Sequence, residues 1–313
     1  MDRQVRNAID AGEGDLLVRS LRQNVVLEPA NVEARLALAA AYERDGATEL
    51  AIEHYRVAAI QHDSEVATVR LARALDRLGE SEQAVEVLVR FCDSHDRASS
   101  SILSELGILE DEMSNLTTGE HYHVRALAAA LRESAGGQDG LHNNLGYNLI
   151  AQKRFLEAEV QLRVALELNP RSDVARHNLA LALASGAAAT SGQVKEAILQ
   201  WQSLSGPAAA HNNLAAVYME QKRYPEARRE LERAIEYDHG NAAAFKNLES
   251  LAELDGKPAQ VPVPAAAVEK AQAKPHFRRR LFVQKSKQDV HAAGGGEVAA
   301  ASIKKRHRNQ NQP

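Results

Sequence analysis

The sequence predicts an all-α fold in which helix hairpins of about 34 residues repeat along the chain. Three observations predict it: a leucine followed by a small residue recurs at nearly constant spacing, the composition favours helix, and proline is scarce before residue 258. Ala and Leu dominate an apolar content of 44%, whereas aromatic residues make up only 4% of the 313 residues. Such a composition favours helices over strands.

The repeat is carried by a leucine and the small residue that follows it. Successive leucines are separated by 33, 35, 39, 34 and 35 residues. The six pairs are Leu38-Ala39, Leu71-Ala72, Leu106-Gly107, Leu145-Gly146, Leu179-Ala180 and Leu214-Ala215. A second small residue follows twelve positions later at Ala51, Ala84, Gly119, Ala158 and Ala227, but seventeen later at Ala197. Because helices cross closely only where facing side chains are small, each repeat is predicted to contain two packed helices, with a five-residue insertion in the fifth.

The best-formed units run over about 32–65, 139–172 and 208–241. In the unit over 139–172, the signature residues are Leu145, Gly146, Ala158, Leu162, Ala165 and Pro170. This pattern resembles the tetratricopeptide-repeat family, whose 34-residue unit is a helix–turn–helix. The resemblance implies a right-handed α-solenoid whose first helices line a concave face. The second, third and fifth units match less well, and Met113–Gly119 is predicted to form an irregular turn.

Three regions are predicted. Residues 1–30 form an N-terminal capping hairpin, residues 31–256 form the solenoid of about six repeats, and residues 257–313 form a basic Pro/Ala/Gly-rich tail. The insertion of the fifth unit falls near residues 185–192. A solitary closing helix, Asn241–Leu254, should show a polar face to water through Glu249, Glu253 and Asp255.

The tail differs from the repeats in charge and composition. It carries twelve Lys and Arg against three acids, a net charge of +9, which leaves −13 for residues 1–256. Its composition predicts disorder. The candidate polyanion-binding residues are Lys274, Arg278, Arg279, Arg280, Lys285, Lys287, Lys304, Lys305, Arg306 and Arg308. Three interpretations stay open: solubility and contact with the acidic repeats, binding to an acidic protein or anionic membrane surface, and binding to nucleic acid. The last is the least supported, because no recognition helix or zinc unit accompanies the clusters.

An asparagine precedes the repeat leucine at Asn144, Asn178, Asn213 and Asn247, with spacings of 34, 35 and 34 residues. An amide both donates and accepts hydrogen bonds, so such a row can bracket a peptide backbone or bond a neighbouring helix. Both interpretations stay open. A comparable asparagine ladder lines the groove of the protein-glycosylating tetratricopeptide transferase. The candidate peptide-binding groove comprises Asn143, Asn144, Tyr147, His177, Asn178, Leu181, Asn212, Asn213, Met219, Lys246 and Asn247.

No catalytic residue, metal site or cofactor is predicted. His121 and His123 should point to different faces of one helix, because two residues on a helix are about 200° apart. Cys92 lies beside apolar residues and is predicted to be a buried structural thiol. Trp201 is predicted to belong to the core of the fifth unit.

The sequence therefore predicts a non-catalytic scaffold that binds a partner protein or an extended peptide. The segments His142–Tyr147, Glu157–Pro170 and Gly206–Ala215 resemble repeat proteins of Flp/Tad-type pilus assembly, which implies a place in a pilus or secretion machine. One alternative is a regulatory or substrate-presenting subunit of an enzyme such as a glycosyltransferase, and another is a nucleic-acid-associated factor. We expect a cytoplasmic protein, with membrane association through the tail, because the chain shows no lipoprotein signal and no apolar run of about 18 residues.

Overall fold

The computed structural model describes residues 16–95, 97–134, 136–186 and 188–257, and all regular structure within them is helical. This confirms the all-α prediction. The helices are α1 (Leu16–Leu27), α2 (Val32–Arg44), α3 (Thr48–Gln61), α4 (Glu65–Arg77), α5 (Ser81–Asp93), α6 (Ser100–Glu112), α7 (Leu116–Glu133), α8 (Gln138–Ala151), α9 (Phe155–Leu168), α10 (Asp173–Ser185), α11 (Ser191–Glu220), α12 (Tyr224–Tyr237) and α13 (Ala242–Asp255). The first half of the predicted capping hairpin and the tail after Lys257 lie outside the described residues.

The helices divide into two units, residues 16–134 with α1–α7 and residues 136–257 with α8–α13. Within each unit, consecutive helices pack against each other as hairpins. The first helices of successive hairpins also touch, as seen for α4 with α6, α8 with α10, and α11 with α13. This side-by-side arrangement of first helices brings the predicted asparagine positions near one another in the second unit.

Side-chain caps fix where most first helices begin. Asn31, Ser64, Ser99, Ser172 and Asn241 each precede a first helix and accept a hydrogen bond from the backbone N–H three residues further on. Such a cap satisfies an amide that has no partner within its helix, which stabilises the start by about 1 kcal/mol. The hairpin starts are therefore encoded locally in the sequence.

Most hairpins turn through three residues, of which the middle one has a left-handed backbone. Gly46 and Gly79 occupy this position in the first two hairpins, and Ser114, Lys153 and Lys222 occupy it in later ones. The irregular turn predicted at Met113–Gly119 is wrong. A regular three-residue turn joins α6 to α7 instead, because Ser114 adopts φ 68° where earlier repeats have glycine.

The repeated small residues lie where helices approach most closely, as predicted. All the repeat leucines and the small residues after them are buried. A Cβ atom added to Gly107 would lie 2.5 Å from the His123 ring, and one added to Gly146 would lie 2.6 Å from Leu162 Cγ. Each glycine therefore allows contact between the two helices of its hairpin.

The insertion of the fifth unit divides between a loop and a helix. α10 ends at Ser185 and α11 begins at Ser191, so this turn has five residues instead of three. Ala197 lies three residues deeper in α11 than Ala158 lies in α9, so the other three residues extend the second helix. Gly206, at φ 81° and ψ 173°, then interrupts α11 and replaces the loop before the sixth hairpin. Pro207 suits the restarted helix because the first helical residues need no N–H donor.

The closing helix α13 shows a polar face, with one exception to the prediction. Glu249 and Glu253 are exposed. Asp255, however, accepts hydrogen bonds from Arg228 Nη2 at 3.1 and 3.0 Å, and its side chain is only 9% exposed. It therefore ties α13 to α12 instead of facing water.

Candidate functional site

The asparagines of the second unit form bonds between successive first helices. Asn178 on α10 donates from Nδ2 to Oδ1 of Asn143 on α8 across 3.0 Å. Asn247 on α13 donates in the same way to Asn212 on α11 across 2.9 Å. In both pairs, the donor is the asparagine one position before a leucine of the repeat. The acceptor is the asparagine two positions before the leucine of the preceding hairpin. Part of the asparagine row therefore forms hydrogen bonds between successive hairpins.

Burial separates the predicted groove residues into two sets. Asn143 and Asn178 are 0% exposed and Asn144 is 1% exposed. Tyr147 and Met219 are buried as well. These five side chains leave no surface for a ligand, so their assignment to a peptide-contacting groove is corrected here: they belong to the packing between helices.

The remaining predicted groove residues are half-buried and reach solvent. They are His177, Leu181, Asn212, Asn213, Lys246 and Asn247. All six lie on first helices, namely α10, the second half of α11, and α13. The surface that a ligand can reach is therefore shorter than the predicted row and starts at the fifth hairpin.

His177 is a neutral imidazole in this surface. Its ring lies 6.1 Å from the indole of Trp201, which is buried as predicted. Burial lowers the pKa of His177 to about 4, because the charged form loses its hydration. At neutral pH the side chain therefore offers a polar but uncharged ring.

The first unit uses an ion pair at the corresponding place, which the sequence did not single out. Glu105 immediately precedes Leu106, as Asn144 precedes Leu145. Its carboxylate accepts from Arg73 Nε at 2.9 Å and Nη2 at 2.8 Å, and the two side chains are 2% and 10% exposed. The signal in the sequence was the position of Glu105, one residue before a repeat leucine. That position places its side chain against the preceding first helix.

Three buried or half-buried histidines have partners on the neighbouring helix of their hairpin. His142 Nδ1 lies 2.8 Å from Gln161 Oε1, and His211 Nδ1 lies 2.6 Å from Glu230 Oε2. Both bonds join the two helices of one hairpin at equivalent repeat positions. His121 is exposed while His123 is buried against Asp111 at 2.9 Å, so the two do point to different faces.

The Cys92 side chain is less buried than predicted. The side chain is half-buried, not buried, and its burial raises the pKa of the thiol.

Across the described ranges, no group of three or more His, Cys, Asp or Glu side chains could hold a metal ion. Nor does any helix in that part of the chain have the length and apolar character needed to cross a bilayer.

The repeat geometry agrees with a family model. Residues 208–241, which include the second half of α11 and all of α12, match the tetratricopeptide repeat. The sixth hairpin is thus a tetratricopeptide repeat, and the two-helix arrangement of the other described hairpins resembles it. The matched segment is the sixth unit, whose boundaries agree with those predicted from the leucine spacing.

Solved structures resemble this chain at low sequence identity. The Cut9–Hcn1 hetero-tetramer of APC/C superposes with a TM-score of 0.52 at 18% identity, over 79% of this chain and 47% of that chain. This chain thus spans about half the length of that relative. YrrB, described as a tetratricopeptide protein with an unusual peptide-binding site, gives 0.45 at 20% identity over 61% of this chain and 95% of its own. The pilF protein of Pseudomonas aeruginosa gives 0.40 at 21% identity over 61% and 84%.

These likenesses concern the fold. No curated protein matches this sequence significantly. The assignment to pilus assembly therefore stays a prediction from the sequence. The ten basic tail residues predicted to bind polyanions, from Lys274 to Arg308, lie outside the described residues.

Proposed function

We propose that this tetratricopeptide protein is a non-catalytic scaffold that binds an extended segment of a partner protein along the first helices of its second unit. The proposed contact surface, here called the amide surface, consists of His177, Leu181, Asn212, Asn213, Lys246 and Asn247. It retains the solvent-accessible part of the predicted groove.

The observation that carries the proposal is the half-buried pair of Asn212 and Asn247. Their mutual hydrogen bond uses one N–H of Asn247 and one oxygen lone pair of Asn212. Both amide hydrogens of Asn212 and the side-chain oxygen of Asn247 remain for a ligand. An extended backbone presents donors and acceptors in alternation, and these amides can meet both.

The buried members of the row support the surface from behind. The bond between Asn178 and Asn143 holds α10 against α8, so the ligand would meet helices that are already positioned. Positioning before binding reduces the ordering cost of association. Without such support, the half-buried amides would have to be ordered by the ligand.

The free energies of the available hydrogen bonds predict a modest affinity. The three half-buried amides, at about 0.5–1.5 kcal/mol each, contribute about 1.5–4.5 kcal/mol, whereas association costs roughly 4–15 kcal/mol. Apolar contacts must supply the difference, and Leu181 is the apolar member of the surface. A partner segment should therefore combine an extended backbone with at least one apolar side chain.

The test begins with peptides selected by phage display on the immobilised full chain. Their affinities are then measured by calorimetry for the wild type and for the variant Asn212→Ala/Asn213→Ala/Asn247→Ala. We expect at least about a tenfold loss for the triple variant. Asn24→Ala removes an exposed amide from α1 and serves as the control. Selected peptides that bind the triple variant as tightly as the wild type would refute the proposal.

A further inference from the structure

A histidine joins two of the connections between hairpins in the first unit. His95 follows the end of α5 by two residues and is half-buried. Its Nε2 lies 3.0 Å from Oδ2 of Asp63, which belongs to the turn between α3 and α4. Its Nδ1 lies 2.8 Å from the backbone oxygen of Phe91 on α5. His95 therefore links the end of the second hairpin to the turn that precedes that hairpin.

The hydrogen-bond pattern determines where the protons of the imidazole lie. The backbone oxygen of Phe91 can only accept a hydrogen bond, so Nδ1 of His95 must donate. The hydroxyl of Ser94 lies 3.1 Å from Nδ1 but donates to the same backbone oxygen at 2.9 Å, so it too accepts from Nδ1. The carboxylate of Asp63 is also an acceptor, so Nε2 must donate. A ring that donates from both nitrogens carries a positive charge.

The end of α5 favours the charged ring in two further ways. The ring centroids of Phe91 and His95 lie 4.0 Å apart and their planes are inclined by 17°. A cation over an aromatic face is attracted to the negative charge of that face. A cation at the carboxyl end of a helix also interacts favourably with the helix dipole. Because Phe91 packs against the core of the first unit, the imidazole stacks on a side chain that is itself held in place.

Two carboxylates act on the imidazole of His95 from the neighbouring turn and helix. They belong to Asp63 and to Glu65 at the start of α4. Closer in the chain, the exposed side chains of Asp93 and Arg97 carry opposite charges. The hydrogen bond to the backbone oxygen of α5 raises the pKa of His95 most, and Asp63 raises it further, whereas partial burial opposes them. The pKa therefore lies above the ordinary value of about 6.5.

We propose that Asp63, Phe91 and His95 form a pH-sensitive clasp, closed when the imidazole is charged and open when it is neutral. When the ring loses one proton, one nitrogen faces an acceptor without a hydrogen, so the bond to Asp63 or the bond to Phe91 is lost. Since the pKa is raised, the stabilisation is complete below about pH 6.5 and is lost as the pH rises through the higher value of the folded protein. The clasp lies in the first unit and uses no residue of the amide surface.

The second and third hairpins stay packed when the clasp opens. The buried ion pair between Arg73 on α4 and Glu105 on α6 does not involve His95. Ser99, which precedes α6, also donates to Glu65 at 2.6 Å. Opening of the clasp therefore releases the last turn of α5 and leaves the rest of the unit folded, which is a local opening of the kind that native proteins undergo.

Cys92 reports on this turn. It is the single cysteine of the chain, lies next to Phe91 in the last turn of α5 and is half-buried. Release of the turn exposes the thiol, so its alkylation by N-ethylmaleimide becomes faster. Because the thiolate is the reacting form and its amount rises with pH, rates are compared only between proteins at the same pH.

The first experiment measures this alkylation in the full chain and in His95→Gln, whose side chain stays neutral. We expect the variant to react about two- to fivefold faster at about pH 6, the effect of an exposed charged contact. At about pH 8.5 the two rates should agree within about 1.5-fold, because the wild-type ring is then neutral as well. His121→Gln changes an exposed histidine of α7 and should match the wild type at both pH values.

A second variant tests the partner of the histidine. Asp63→Asn removes the carboxylate charge, and asparagine suits the left-handed backbone of this position at φ 49°. It should also react faster than the wild type at about pH 6. Proton NMR of the His95 ring measures the charge directly. The titration midpoint should lie above about 6.5 in the wild type and about 0.2–0.7 lower on the pH scale in Asp63→Asn.

Other outcomes overturn the proposal. A midpoint of His95 at or below about 6.5 would show that the folded chain does not favour the charged ring. Equal rate ratios at both pH values would make His95 a contact that does not depend on its charge. Slower alkylation of His95→Gln in acid would mean that the imidazolium acts on the thiolate instead. Faster alkylation of His121→Gln would assign the effect to general charge. Circular dichroism of each variant checks that the helices are intact.

Discussion

Asn178 donates a hydrogen bond from Nδ2 to Oδ1 of Asn143 across 3.0 Å, and neither side chain is exposed. The bond joins α10 to α8 within the second unit. The half-buried pair formed by Asn247 and Asn212 has the same geometry at 2.9 Å. One repeated bond thus occurs once in the interior and once at the surface.

Replacement of Asn178 by Ala should lower the free energy of unfolding by about 1–3 kcal/mol, because it removes a bond from a buried oxygen that water cannot reach. Asn247→Ala should cost less than about 1 kcal/mol, because water can replace the lost donor. Urea unfolding followed by Trp201 fluorescence measures both, since Trp201 is the only tryptophan and lies in the second unit. Equal costs would contradict this distinction.

Gly146→Ala should destabilise the second unit by about 1–3 kcal/mol, because the added methyl group overlaps Leu162. Trp201 fluorescence reports this loss directly. Gly192→Ala is the control: the nearest atom to its added Cβ is Thr190 Oγ1 at 3.7 Å, and alanine favours helix. The combination of Gly146→Ala with Leu162→Ala should cost less than the sum of the single changes. Additive costs would show that the two side chains do not compete for space.

Gly107→Ala makes the corresponding test in the first unit. The new Cβ would lie 2.5 Å from His123, whose ring is held by Asp111 and cannot withdraw freely. We expect a loss of about 1–3 kcal/mol in thermal or urea unfolding followed by circular dichroism. A variant as stable as the wild type would mean that α7 shifts away from α6 without cost.

His177 should make the second unit less stable in acid. Its pKa is about 4 in the folded protein, against about 6.5 for a histidine in the unfolded chain. Between these values the unfolded chain binds a proton that the folded chain does not, so the free energy of unfolding falls as pH decreases, by roughly 3 kcal/mol in total. The loss is complete below pH 4 and absent above pH 6.5.

The measurement compares urea unfolding of the wild type and His177→Gln from pH 7 to pH 4. The variant should lose less stability over this range, because glutamine does not titrate. His239→Gln, which changes an exposed histidine of the same unit, is the control. Parallel pH profiles for wild type and His177→Gln would contradict the prediction.

Lys222→Gly should raise the free energy of unfolding by up to about 1 kcal/mol. Lys222 adopts φ 60°, where a Cβ atom is strained and glycine is not. The reverse exchange, Gly79→Ala at φ 83°, should destabilise the equivalent turn of the second hairpin. Thermal unfolding checks both, and a destabilised Lys222→Gly protein would show that the lysine side chain compensates the strain.

Much of the fold could be predicted from the sequence because its signals are local or periodic. The leucine spacing located the hairpins, and the small residues at positions such as Ala158 marked the helix crossings. The start of α10 follows from the Ser172 cap, and the interruption of α11 follows from Gly206 next to Pro207. Each of these depends on a residue and its near neighbours in the chain.

Part of the candidate site escaped prediction because it depends on neighbouring helices. Glu105 occupies an asparagine position but pairs with Arg73, which lies 32 residues earlier. Asp255 looked like a solvent-facing acid and instead binds Arg228. Cys92 stands among apolar neighbours in the sequence and is nevertheless only half-buried. For Glu105 and Asp255 the deciding contact lies on another helix.

By itself, the sequence determined that the chain forms repeated helix hairpins, and it placed the sixth at residues 208–241. Only the tertiary structure decided which asparagines a ligand can reach. Asn178 and Asn213 both precede a repeat leucine, yet one is fully buried and the other is half-buried. Exposure depends on how closely the next hairpin packs, and that distance is set by side chains on other helices. The same Asn-Leu-Ala triplet therefore gives a buried side chain in one hairpin and a half-buried one in another.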